Sequence, residues 1–399
     1  MMQLTTPGHP HLSYCSNVHP GESWSECFAQ LQRHVPAVRS KVSPNAPFGL
    51  GLRLSAAAAC ELTEPAQLAE FRAYMAANAL YVFTVNAFPY GAFHGRRVKE
   101  RVYDPDWRDP KRLRYTCRVA DILAKLIPEH HEASISTVPG AFQSHVQRVV
   151  DVQRMRDHFL ACAIHLQLLA QRTTRVITLA IEPEPACFIE TTRGAIRFLE
   201  DWLFTKASLA TFADGTGLNS REAEDAIRRH IGLCVDVCHA AVAFEDIASS
   251  IDEVINSGIR ILKMQLSSAL KVTEPSPITL AALSAFNEGV YLHQTAILDS
   301  AGIRHYKDLP DALACDCQSL VEAEWRVHCH IPLYADRLGP LQTTQDLLCK
   351  ALAIVSKRAI TSHLEVETYT WSSLPQLLQG DLASQIAREL KWVHTKLAS

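Results

Sequence analysis

The sequence predicts an α/β fold of the (β/α)₈ TIM-barrel type, on three observations. Short apolar or β-branched runs recur along the chain, with amphipathic stretches between them. The runs are continuously apolar rather than alternating, the pattern of parallel strands buried on both faces. The chain has 399 residues, whereas such a barrel typically takes about 250, so there is room for a long insertion.

Ten runs read as strands. Seven come first: Leu12 to His19, Phe48 to Ser55, Tyr81 to Phe88, Ala133 to Val138, Val176 to Glu182, Gly232 to Val237 and Arg260 to Leu266. Val290 to Ala296 and Trp325 to Leu333 follow, and Ser362 to Glu367 is last. Ten is two more than the barrel needs. We assign the first seven and the last to the barrel, and 290–296 and 325–333 to an inserted segment before the last strand. Helices are expected at Trp24 to Val38, Phe142 to Ala170, Glu222 to Ile231, Leu280 to Phe286, Asp346 to Ser356 and Leu382 to Leu397. Trp24 to Val38 carries Phe28, Leu31 and Val35 at helical spacing. No Gly/Ser/Pro linker, fixed-period repeat or low-complexity tract divides the chain, so one domain over 1–399 is expected.

Composition excludes several classes. Lys plus Arg is 39 and Asp plus Glu 42, a net charge of −3, which is no nucleic-acid coat. No apolar run approaches the roughly 20 residues of a membrane helix. Met1 to His11 is polar, with no apolar signal core, so a cytoplasmic protein is expected. The twelve cysteines are scattered, with close pairs only at Cys234/Cys238 and Cys315/Cys317, and are read as reduced thiols. There is no GxxxxGK[ST] loop, no GxGxxG after a strand and no GxSxG elbow. Nucleotide hydrolases, dinucleotide-binding dehydrogenases and serine hydrolases are thereby disfavoured.

The chemistry-bearing residues fall at strand ends, where barrel active sites are built. Glu182 and Glu184 close the fifth strand, Asp236 the sixth with His239 three residues on, and Glu365 and Glu367 the last. Gln265 lies near the end of the seventh. Asn17 and His19 end the first; Asn86 ends the third, with His94 in the loop after it. His293 belongs to the inserted segment, and His328 and His330, two apart on one strand, share a face. Buried carboxylates are expensive without a partner. Three of them with histidines would repel one another unless a cation binds, and imidazole ligands suit manganese, zinc or iron better than magnesium. For any one carboxylate, a salt bridge or a helix cap is an equally good reading.

This strand-end set resembles the xylose isomerase-like superfamily of barrels, which holds sugar isomerases, epimerases and endonuclease IV. Cys234 to Glu245 (CVDVCHAAVAFE) resembles its Asp-x-x-His strand end. Within it the chain is most similar to the EboE family of metabolite traffic proteins. The matching stretches are Leu12 to Trp24, Phe48 to Ala56, Asn86 to Trp107 (NAFPYGAFHGRRVKERVYDPDW), Ser134 to Gly140, Arg326 to Pro332 and Leu364 to Trp371. The resemblance implies export of a secondary-metabolite precursor, with other proteins of that pathway as partners; it defines no reaction. It also implies metal ligands at Glu182, Asp236 and Glu367, and a substrate contact at His239. The usual third ligand is a histidine on the seventh strand, where Gln265 stands here. Either Gln265 coordinates through its neutral carbonyl, or His330, with His328 second, supplies the nitrogen, or the site has lost its metal and only binds ligand.

The stretch from Arg96 to Arg118 holds nine Lys or Arg against four acids. It leaves a catalytic strand end, so it reads as a clamp for a substrate phosphate or carboxylate, Arg96 foremost, with Tyr103 and Trp107 covering the ligand; a solvated surface loop is the other reading. The functional expectation is a metal-dependent isomerase or epimerase of a sugar-like or polyhydroxylated, perhaps phosphorylated, small molecule. Glu182, Glu367, His239 and Glu184 are its catalytic candidates, and Asn86, His94, His293, His328 and Arg96 its substrate contacts. An endonuclease IV-like metal-dependent phosphoesterase and a non-catalytic metabolite-binding protein are the alternatives. No nucleic acid is expected as partner.

Overall fold

A computed structural model describes residues 2–94, 97–128, 131–287, 289–314, 322–372, 374 and 380–398. Eight parallel strands form a nearly closed barrel with helices between them. They are β1 (His11–Tyr14), β2 (Phe48–Arg53), β3 (Leu80–Asn86), β4 (Glu132–Thr137), β5 (Val176–Ile181), β6 (Ile231–Asp236), β7 (Ile261–Leu266) and the last, β14 (His363–Val366). The order β1-β14-β7-β6-β5-β4-β3-β2 is that of a barrel wound in sequence. Between β1 and β2 the ladder shrinks to one bridge, Cys15 to Gly51. The Ser13 hydroxyl completes the seam, donating to Gly49 O at 2.8 Å and accepting from Gly51 N at 3.0 Å. Gly51 is required there: a Cβ would come within 1.9 Å of Glu365 Oε1.

The strands are buried almost throughout, which is why they read as unbroken apolar runs. The helices show their sequence logic equally. The Trp24–Val42 helix opens on a Ser23/Glu26 capping box and buries Trp24, Phe28, Leu31, Val35 and Val38. It packs against the closing helix, Leu382–Ala398. One expected element changes: Phe142 to Ala170 is not continuous. Phe142 bridges to Cys187, a short 3₁₀ turn covers Gln143–His145, and the helix runs over Val149–Thr173.

The insertion after β7 builds a second, antiparallel sheet, which the sequence reading did not foresee. Its strands are β8 (Leu270–Val272), β9 (Thr295–Asp299), β10 (Gly302–Tyr306), β11 (Glu324–Val327), β12 (Arg337–Leu338) and β13 (Leu341–Thr343), in the order β10-β9-β11-β8-β13-β12. The runs expected at 290–296 and 325–333 are thus only partly strand. His328 and His330 lie beyond the end of β11, not on it. Pro332 and the pairing of Ile331 N with Ser268 O carry the chain out of the ladder at that point. No helix among the described residues is long and apolar enough to cross a membrane. The described cysteines, Cys234 and Cys238 among them, are free; Cys315 and Cys317 lie outside the described residues.

The barrel interior is polar. Lys263 and Glu365, both fully buried, pair at 2.6 Å. The Lys263 ammonium also donates to Ser136 Oγ at 3.1 Å. Below them His363 bonds Ser134 Oγ through Nδ1 and Glu132 O through Nε2.

Candidate metal centre and pocket

At the C-terminal mouth three carboxylate-bearing strand ends converge. Glu182 follows β5, Asp236 ends β6 and Glu367 follows β14. One carboxylate oxygen of each lies within 4.8 Å of the other two. Asp236 is fixed by doubling as a helix N-cap: Oδ1 accepts from His239 N at 2.9 Å and Ser267 Oγ at 2.7 Å. Glu367 Oε1 accepts from the Asn17 and Asn86 amides at 2.7 and 2.9 Å. Asn17 was noted at a strand end in the sequence but was not counted as a site residue.

Three histidines complete the wall, and their tautomers follow from their partners. His330 Nδ1 donates to Glu367 O at 2.6 Å, and His239 Nδ1 donates to Pro183 O at 3.0 Å. His328 Nδ1 donates to Gln294 Oε1 at 2.7 Å. Each Nε2 therefore carries a lone pair. The rings stand 4.6, 5.6 and 5.1 Å apart, centroid to centroid. His330 Nε2 lies 3.9 Å from Asp236 Oδ2, and His239 Nε2 4.0 Å from Asp236 Oδ1.

Glu184 sits beside this group. Its Oε1 accepts from Tyr103 OH at 2.7 Å and Gln294 Nε2 at 3.1 Å. Gln294 also holds His328, and it escaped the sequence reading although it directly follows His293. Its amide ties Glu184 to His328, which also approach each other directly at 3.6 Å.

Burial and mutual repulsion shape the electrostatics. Burial first, then the neighbouring carboxylates, push Glu182 and Glu367 well above the usual carboxylate range. Burial pushes Glu184 up to about 8. Burial and adjacent imidazoles hold His239 and His328 well below the usual histidine range, and burial lowers His330. Among the described residues six buried acceptors here have no hydrogen-bond partner, Glu182 Oε2, Glu184 Oε2, Asp236 Oδ2, Asn17 Oδ1, His328 Nε2 and His330 Nε2, and one donor, Gln265 Nε2, has none either. A cation is the species that satisfies such a set.

The other residues singled out in the sequence are placed as follows. Gln265 points into the barrel with its carbonyl oxygen accepting from the Cys234 thiol at 3.2 Å. Asn86 lines the pocket and holds Glu367. His94 engages Asn17 O at 2.5 Å and Tyr291 OH at 2.9 Å. His293 lies behind the wall, its Nδ1 donating to His328 O. Arg96 lies outside the described residues. Three cations of the remaining basic stretch are committed to partners. Lys99 pairs with Asp308 at 2.5 Å, Arg108 with Asp106 at 2.7 Å, and Arg112 donates to three backbone carbonyls. Trp107 does not cover a ligand: it is fully buried, donates to Thr137 Oγ1 and stacks on Phe159.

Comparison with known proteins gives the fold. The chain is similar to a xylose isomerase-like TIM barrel protein from Mycobacterium smegmatis, determined in complex with magnesium, at 11% identity and a TM-score of 0.52, over 98% of this chain and 97% of that one. It also matches L-ribulose 3-epimerase at 11% identity and a TM-score of 0.48, over 98% and 95% of the two chains. A third match is an IolI protein with a bound zinc atom, at 11% identity and a TM-score of 0.47, over 97% and 98%. No protein-family model and no curated protein matches the sequence. The fold is therefore that of the xylose isomerase-like TIM barrels.

Proposed function

We propose that this chain is a metal-dependent enzyme that moves a proton at a carbon beside a carbonyl, an isomerase or epimerase of a small oxygenated molecule. The observation that carries the reading is the set of buried, unpartnered acceptors gathered at the mouth. Glu182, Asp236, Glu367 and His330 would hold a divalent cation, with Gln265 the alternative to His330. A bound cation polarises the substrate oxygens. An imidazole ligand favours manganese, zinc or iron over magnesium. Ligation lowers a carboxylate's basicity, so Glu184, outside the Glu182/Asp236/Glu367 group, is the carboxylate freest to take a proton. Tyr103 and Gln294 hold its Oε1 and leave Oε2 for the pocket. Glu182 and Glu367 flank the reacting carbon as the proton-transfer pair that Glu184 assists, and His239 Nε2 orients a substrate oxygen. The resemblance to EboE proteins adds a setting: a precursor of an exported secondary metabolite, handled in the cytoplasm beside other proteins of that pathway.

A second reading has its own observation. Glu184, His239 and His328 also bring one ligand atom each within 4.8 Å, which favours a multi-metal phosphoesterase. Metal analysis of protein purified without chelator separates the readings. One equivalent supports the isomerase, two or more the phosphoesterase, and none a binding protein. His330→Ala is expected to lose the metal and Gln265→Ala to keep it; the reverse outcome makes Gln265 the ligand.

A further inference from the structure

We propose that the pocket takes an amphiphile: an oxygen-bearing head at the carboxylate–imidazole cluster and an uncharged, apolar body of about ring size against the opposite wall. The head rests on the function proposed above; the body rests on the wall alone. The pocket opens to solvent between the cluster and a set of apolar side chains. Away from the cluster its lining is largely apolar, with Phe88, Phe93, Val98, Val102, Leu292 and the ring of Tyr369 beside Lys99, Tyr103 and Tyr291. These residues come from the loop after β3, the insertion and the segment after β14. The apolar wall is thus assembled from three places in the chain rather than inherited from one element's packing. Phe93 and Tyr369 meet edge-on at 5.1 Å, which gives the wall a flat aromatic corner.

Several polar groups near this wall are engaged with one another. Asn17 and Asn86 hold Glu367, Tyr103 holds Glu184, and His94 holds Asn17 O and Tyr291 OH. Among the described residues Lys99 is the only cation lining the pocket, and Asp308 neutralises it at 2.5 Å. A polyhydroxylated body would strand its hydroxyls against carbon, and each unpaired hydroxyl is a penalty. An apolar body is rewarded for every ångström squared that it hides from water. The expected substrate class therefore narrows from sugar-like to a hydroxy-carbonyl or hydroxy-acid head carrying a hydrocarbon or aromatic group.

The test is calorimetric titration of manganese-loaded protein with 3-phenyllactate, lactate and fructose 6-phosphate. We expect 3-phenyllactate to bind at least about tenfold tighter than lactate. That ratio should fall toward one in Leu292→Asn and, as a second variant, Phe93→Ala, with manganese content unchanged. Equal binding of 3-phenyllactate and lactate, or tighter binding of fructose 6-phosphate, overturns the proposal. Metal content is scored separately. A phenyl preference without metal sinks the proposed function and keeps the amphiphile. Bound metal without a phenyl preference does the reverse.

Discussion

Two buried polar clusters occupy this barrel one side-chain layer apart, and they balance charge in opposite ways. In the interior Glu365 has its own cation, Lys263, at 2.6 Å. Burial alone would depress the lysine, but the Glu365 carboxylate outweighs it and holds the ammonium charged. At the mouth, two residues along the same strand end, Glu367 meets Glu182 and Asp236 beside neutral imidazoles, and the nearby Lys263 is already paired with Glu365. Burial is equal in the two places. The difference is that the interior supplies its counter-charge from the sequence, whereas the mouth leaves its lone pairs for something the chain does not encode. Burial of charge by itself marks no site; burial of uncompensated charge of one sign does.

The largest test of this contrast is Lys263→Met. It leaves Glu365 buried without its partner, and breaking a buried pair from one side costs about 3–5 kcal/mol. Denaturant unfolding should show that loss, and the double variant Lys263→Met/Glu365→Leu should recover most of it. Equal stability of the single variant and the parent would mean that the interior pair does not balance charge as described.

A smaller effect comes from the histidine beneath that pair. Burial first, then nearby cationic groups, lower His363 to about 3. A depressed histidine is neutral when folded, so its contribution is complete above the unfolded value near 6.5 and is lost as pH falls toward 3. Between pH 7 and pH 5 linkage gives a loss of about 2 kcal/mol from this one group. The stability difference between the parent and His363→Asn, measured at both pH values, should shrink by that amount. A difference that does not change with pH would show that His363 titrates in the fold as it does in the unfolded chain; a difference that grows toward pH 5 would show that it is already charged in the fold.

Much of this was legible in the sequence because buried parallel strands announce themselves as unbroken apolar runs; all eight barrel strands lie where those runs stand. The strand-end position of Glu182, Asp236 and Glu367 was legible for the same reason, since a carboxylate straight after core has to lie at a mouth. The insertion was harder. Short antiparallel strands such as Glu324–Val327 depend on partners distant in sequence, so the run to Leu333 overstated the strand and put His328 and His330 on it. Side-chain commitments were not legible at all. Nothing local shows that Lys99 is spent on Asp308, or that Gln294 joins Glu184 to His328. The basic stretch read as a clamp; of its cations Lys99 lines the pocket while tied to Asp308, and Arg108 and Arg112 are internal ties.

The smallest expected effect reverses the sign seen with Lys263. Glu182→Gln removes one of three repelling carboxyls and keeps the shape of the side chain. In chelator-treated protein it should raise stability, by about 1 kcal/mol, because a buried like-charge set is relieved when one member is neutral. The gain is small because Glu182 is itself pushed well above the ordinary carboxylate range, and part of the repulsion is already removed by protonation. The same variant should lose its metal, so with manganese added the order inverts and the parent becomes the more stable protein. Thermal unfolding of both proteins, with and without the ion, reads all four states. If Glu182→Gln destabilises the chelated protein, the mouth carboxylates are compensated within the chain after all. The two clusters would then differ only in position, and the case for a bound cation would fall with that result.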